Sequence, residues 1–361
     1  MRVLASFESR HRIAEAGAQS KFFPEHVRAP VKLRFMTPQS RPRQINFVTA
    51  AAIWAAILLF AAVAGIHLGY SGPKFFVALG VAGVLFAFEL FLAVPSVLDA
   101  VDGFLGQRGG VLAVLVPLFA ILIYSMGVSG NWKYMLVGAS YAVVPALLLA
   151  SSAGKPPGTC TDYVAVALIW LPVEFRWMYR LFPFPPQLTH TLTILMALST
   201  GIAAFVVLRR LDRVGYAIEW RRGTGANILI HFVVFIAIAV PLGIAMRFLA
   251  YDPEMARLRS LPLAVIGITL FTAWPEEFLF RGVLQNLFSR TLNNQWAGLA
   301  IASVVFGLSH ILHAPFPNWK YVILATIAGL FYGHAWMKSG SLLPGAIVHA
   351  LVDISWHLLF R

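Results

Sequence analysis

Charge is what this 361-residue sequence has least of. Asp, Glu, Lys and Arg make up 12% of it, and only 15 of those residues are acids against 28 bases. Cysteine is nearly absent too: Cys160 stands alone, so an intrachain disulfide and a thiolate metal cluster are both excluded. No HExxH sequence occurs, so the common helical zinc-protease signature is missing. What fills the chain is apolar: 59% hydrophobic residues and a mean hydropathy of +0.76. That composition excludes a soluble enzyme and defines an all-α polytopic transmembrane helical bundle, since only helices and closed barrels satisfy their backbone in lipid.

The formal charge of +13 invites a nucleic-acid reading, but the bases lie in a tail and in loops between apolar runs. No stretch combines a basic groove with stacking aromatics, so no nucleic acid is expected as a partner; the lipid bilayer is. Residues 1–44 hold nine Lys or Arg, three Glu and prolines at 24, 30, 38 and 42. They read as a basic, partly disordered cytoplasmic tail, too charged to be the leader of an exported soluble protein.

Apolar runs follow near 46–68, 75–98, 111–127, 134–151, 163–181, 188–208, 227–249, 261–287, 296–313, 320–338 and 340–360, about eleven spans with a range of nine to twelve. The weakest, 163–181, gathers Pro172, Glu174, Arg176 and Arg180 and suits a re-entrant or interfacial segment. The basic tail places the N-terminus inside. Six crossings later RRLDRVGYAIEWRR, residues 209–222, agrees with the same topology. The expected location is the plasma membrane of a bacterium. No inverted repeat of the transporter kind is visible. Glu89, alone in an apolar run, reads as hydrogen-bonded to a neighbouring helix or close to an interface.

Three pairs with ionisable members break the apolar spans after residue 260. In WPEEFLFRG, Trp274–Gly282, Glu277 and Arg281 are four apart on one helical face in the favourable acid-before-base order, which suits a mutually neutralising scaffold pair. Glu276 lies about 100° away around the helix and has no partner in it. Pro275 predicts a kink or a fresh helix start, which would set Glu276 at a positive helix end, ready to act as a general base. Next, VVFGLSHILH puts Phe306 and His310 four apart. Finally, LPGAIVHALVDISWH does the same for His349 and Asp353. A charge near the bilayer centre costs at least about 2.5 kcal/mol, so three such pairs on neighbouring spans point to an intramembrane active site. Between them Ala325, Gly329 and Gly333 form a small-residue stripe suited to close helix packing.

EEFLFR, FGLSH and HALVD resemble the three motifs, EExxxR, FxxxH and HxxxN or HxxxD, of the CPBP family. These are the CAAX-processing and bacteriocin-processing intramembrane endopeptidases, also called the Abi family. The resemblance covers roughly 225–360, which divides the chain into the tail 1–44, motif-free transmembrane helices 45–224 and a catalytic transmembrane core 225–361. It implies that Glu276 and His310 activate a water for attack on a peptide carbonyl, with His349 and Asp353 stabilising the oxyanion or orienting groups around it. Glu277, Arg281 and Phe306 support them. An ionised Asp353 cannot donate a hydrogen bond as the family's Asn can, so the oxyanion role falls more naturally to His349.

Two histidines with carboxylates also suit zinc chemically, with Glu276, His310, His349 and Asp353 as candidate ligands. The family is equally described as metal-free glutamate proteases, and no obligate metal is expected. The expected substrate is a membrane protein or lipidated peptide. Competing readings are a catalytically inactive scaffold or bacteriocin-immunity-type protein, against which the intact Glu276, His310 and His349 argue, and a proton-coupled transporter.

Overall fold

The computed structural model describes residues 42–254 and 257–360, so most of the basic tail lies outside the described residues. Twelve helices are seen among the described residues, with almost no sheet. They are α1 (Phe47–His67), α2 (Pro73–Leu92), α3 (Pro95–Gly109), α4 (Gly110–Ser129), α5 (Trp132–Ala150), α6 (Cys160–Glu174), α7 (Pro186–Leu208), α8 (Thr224–Ala245), α9 (Arg257–Thr291), α10 (Gln295–Leu308), α11 (Trp319–Ser339) and α12 (Leu342–Leu359). Eight are long and apolar enough to cross a membrane. Helices α6 and α10 are shorter, at 15 and 14 residues, and α11 is long but falls outside that group. In the weak run a capping box at Thr159 and Asp162 starts α6 at Cys160, and the helix ends at Glu174.

Alternate passes begin and end at two faces. At the proximal end, β1 (Arg43–Gln44) pairs antiparallel with β2 (Glu219–Trp220). The segment 209–223 is stitched to the helices that end there: Ile218 donates to the Ala93 carbonyl, Leu342 to the Gly215 carbonyl, Asn286 to the Asp212 carbonyl and the Trp336 indole to the Val214 carbonyl. Arg209 also forks onto Asp162, with Nε 2.7 Å from Oδ1 and both side chains buried. At the distal end, Asp252 donates to the Leu359 carbonyl, Arg257 to that of Phe360 and Lys320 to that of Arg247.

Side chains such as Leu229, Ile230 and Val233 of α8, or Phe119 and Ile123 of α4, stay exposed on the bundle, as lipid contact requires. Glu89 accepts from Ser199 of α7 at 2.9 Å, the expected helix-to-helix bond. Glu174 takes the indole of Trp170 at 3.1 Å.

The small-residue stripe packs as its spacing predicts: a Cβ on Gly329 would lie 2.9 Å from the Ser303 Cα, and one on Gly333 would strike Gln285 and Leu299. Helices α10 and α11 thereby approach closely.

Of the two expectations at Pro275, the fresh helix start does not occur. Trp274 keeps helical angles (φ −63°, ψ −48°), and α9 continues through it. The turns at Thr269–Ala273 and Phe278–Gln285 are π-helical. A wide turn shifts the carbonyl that would otherwise meet the proline ring, so the missing N–H is absorbed without a new helix start. Glu276 therefore lies mid-helix and not at a positive helix end, and that electrostatic argument for its role falls away.

Candidate active site

Arg281 and Glu277 form the predicted pair, Nε to Oε2 at 3.1 Å, with side chains 2% and 0% exposed respectively. Arg281 has further support. Its Nη2 reaches the Gly329 carbonyl at 3.4 Å, and the guanidinium lies 4.3 Å from the centre of the Phe306 ring and 5.3 Å from that of Tyr332. Cation–π contact of this kind gains strength out of water. Phe306 is thus a wall for the arginine as much as a neighbour of His310.

The second oxygen of Glu277 is committed elsewhere. His349 Nδ1 donates to Glu277 Oε1 at 3.0 Å, linking α9 to α12 across 72 residues of sequence. This fixes which imidazole nitrogen is turned away from the arginine: Nε2 faces Glu276 Oε2 at 3.8 Å and Asp353 Oδ2 at 3.5 Å. The ring is further held by Tyr332, stacked on it at 4.6 Å and 16°. Glu276 and Asp353 keep about a third of their side-chain surface open. Glu276 Oε2 itself is buried and makes no hydrogen bond to a described residue.

His310 follows α10 by a turn, since that helix ends at Leu308 and not near 313. Its Nδ1 donates to the Phe306 carbonyl at 2.9 Å, so the neutral ring keeps a lone pair on Nε2. Its ring packs on Phe306 and on Tyr321, 4.9 and 4.5 Å away. Among the described residues no hydrogen bond or ion pair joins His310 directly to Glu276. Phe306 bridges the histidines instead, lying 5.7 Å from the His349 ring. His313 stacks on His310 at 5.6 Å.

His310, His349 and Asp353 border one cavity of about 70 Å³ between α8, α11 and α12, room for a few water molecules. Among the described residues, no group of three or more His, Cys, Asp or Glu side chains is arranged to hold a metal ion.

Three contributors escaped the sequence reading. Tyr321 and Tyr332 flank the two histidines. Their signal was the spacing 321, 325, 328, 332 on α11, a helical stripe that lines the cavity beside the packing stripe. Gly345 is the third: a Cβ there would lie 2.9 Å from Glu277 Oε2 and 3.1 Å from the Tyr332 carbonyl. Only a glycine lets that carboxylate sit against α12.

Fold and site together define an integral membrane protein of many helical passes, with a carboxylate–histidine cluster held inside the bundle beside a water-sized cavity. Residues 258–355 match the family model described as Rce1-like, type II CAAX prenyl endopeptidase. The match covers just over a quarter of the chain, contains all three motifs, and is to the family they resemble; it implies a protease. No curated protein and no solved structure matches the chain.

Proposed function

We propose that the protein is an intramembrane endopeptidase that hydrolyses a peptide bond of a membrane-anchored or lipidated polypeptide. The observation that carries this reading is Glu276 Oε2: a buried acceptor without a hydrogen-bond partner, 3.8 Å from a histidine whose other nitrogen is already fixed. A buried acceptor left open is costly unless something visits it, and water is the visitor that a hydrolase requires.

In this reading Glu276 takes a proton from a water as its oxygen attacks the peptide carbonyl carbon. The carbonyl π electrons move onto oxygen, and His349, as an imidazolium whose Nδ1–H is held by Glu277, donates its Nε2–H to that developing oxyanion. Asp353 sets the Nε2 side of the imidazole. When the tetrahedral species collapses, the C–N bond breaks and the nitrogen leaves with the proton that came from water, giving one carboxylic acid and one amine. His310, whose Nδ1 is held by the Phe306 carbonyl, offers its Nε2 lone pair to orient the water. General acid–base catalysis of this kind supplies about 10²- to 10⁴-fold. The step as written uses protein groups alone; among the described residues no three His, Cys, Asp or Glu side chains are grouped to hold a metal ion.

The family match supports the protease reading, and the substrate named in the family's description, a prenylated CAAX sequence, is one member of the proposed class. The test is mass spectrometry of anchored reporter peptides in proteoliposomes, together with a luminal pH dye. The expected result is a discrete cleavage product that vanishes with Glu276→Gln or His310→Ala, without proton flux. Proton flux that needs Glu276, with no cleavage, would replace this reading by the transporter one.

A further inference from the structure

Gln285 lies one turn beyond Arg281 on α9, at the end of the π-helical stretch Phe278–Gln285. A side-chain amide inside an apolar bundle is costly unless its polar atoms are met. Gln285 is 0% exposed and Arg281 1%. Both reach across to α11 in the same way: Arg281 Nη2 donates to the Gly329 carbonyl at 3.4 Å, and Gln285 Nε2 to the Gly333 carbonyl at 3.3 Å. Those carbonyls are four residues, about 6 Å, apart along α11. Glycine makes the approach possible, since a Cβ on Gly333 would lie 2.3 Å from Gln285 Oε1. The small-residue stripe therefore does more than bring helices together: it bares two acceptors to α9.

Each of the two side chains has one polar atom left over. Arg281 Nη1 and Gln285 Oε1 are both buried, and neither makes a hydrogen bond to a described residue. One is a donor and the other an acceptor. Held on carbonyls a turn apart, they flank the same strip of α11. A molecule that accepts from Nη1 and donates to Oε1 satisfies both, and water is the smallest that does so.

The rest of the guanidinium is already engaged, Nε by Glu277 and Nη2 by Gly329. Its position in turn sets that of Glu277, whose other oxygen accepts from His349 Nδ1. Gln285 does not border the cavity, so its influence on the reaction runs through these groups and not through contact with substrate.

We propose that Gln285 is a positioning residue for His349. It shares one internal water with Arg281, and the link from Gln285 through that water, Arg281 and Glu277 fixes the carboxylate that aims the imidazole. This rests on the hydrolytic reading of the site for its effect on turnover, but not for the water itself.

Turnover and structure test the two parts separately. Gln285→Met keeps the length of the side chain and removes the acceptor. Because a misplacement of about 1 Å can cost about 10²-fold in rate, kcat of the folded protein should fall by about 10- to 100-fold with KM unchanged. In an Arg281→Met background, where the water has lost its donor, the same substitution should leave kcat as it was, since residues that act as one unit are not additive. An unchanged kcat in Gln285→Met alone, a rise in KM alone, or an equal fold-loss in both backgrounds would overturn the positioning role. An experimental density map of the wild-type protein that resolves ordered water reads the link directly. It should show one peak within hydrogen-bond distance of both Arg281 Nη1 and Gln285 Oε1. A direct bond between those atoms, or a dry gap, would overturn the link even where the variants fail to fold or Arg281→Met is inactive. A wild-type protein with that water in place and no peptide cleavage would support the link and sink the protease reading instead.

Discussion

Removing Glu277 and removing Arg281 should have unequal effects, though the two form a single ion pair. Glu277→Ala leaves the guanidinium buried with one long bond, to the Gly329 carbonyl at 3.4 Å, and two aromatic faces. It also takes the acceptor from His349 Nδ1. Breaking a buried pair from one side costs about 3–5 kcal/mol. The unpaired imidazole nitrogen falls in the range of about 1–3 kcal/mol, overlapping with that cost and not added to it.

Arg281→Met fills similar volume and leaves Glu277 still bonded by His349, so its cost should lie well below that of Glu277→Ala. The double variant removes both charges. Its loss should fall short of the sum of the single losses by about 1–3 kcal/mol, the usual coupling of residues in contact. Unfolding in detergent micelles titrated with dodecyl sulfate reads all four proteins. Additive losses, or an Arg281→Met protein no more stable than Glu277→Ala, would refute the account of a carboxylate shared between the arginine and the histidine.

Gly345→Ala should cost about 1–3 kcal/mol and lower turnover together, because its new Cβ would push Glu277 away from His349; unchanged turnover in a peptide-cleavage assay would show that the glycine is incidental. Tyr332→Phe should keep the stack on His349 and near-normal activity, whereas Tyr332→Leu should lose about 0.5–1.5 kcal/mol of ring contact and part of the activity, measured as melting temperature and initial rate. Asp162→Ala should destabilise by about 3–5 kcal/mol, since Arg209 is 6% exposed and Asp162 fully buried; a melting temperature equal to wild type would contradict a structural role for that pair.

The passes were legible in the sequence because a bilayer demands about twenty apolar residues per crossing, and the chain interrupts its runs with charge or with Gly and Pro. The pairs at Glu277–Arg281 and His349–Asp353 were legible for a similar reason, since four residues make one turn.

What helical periodicity could not carry was contact between helices. The bond from His349 to Glu277 joins residues 72 apart. It turns a residue read as half of a scaffold pair into the one that aims the histidine. The place of Gly345 in LPGAIVHA depends on the same contact. Pro275 misled because the rule for proline assumes an α-helical ladder, and the π turns around it relax that ladder. Phe306 and His310 were read as one helical face, but α10 stops at Leu308. Their adjacency survives through the bond from His310 Nδ1 to the Phe306 carbonyl.

The most direct measurement compares cleavage by wild-type protein and Glu276→Gln, reconstituted in the same lipid at the same density, with melting temperatures recorded alongside. The account predicts a loss of about 10²- to 10⁴-fold in turnover with the melting temperature nearly unchanged, because Glu276 Oε2 has no hydrogen-bond partner to lose. A Glu276→Gln protein that cleaves at the wild-type rate would contradict it.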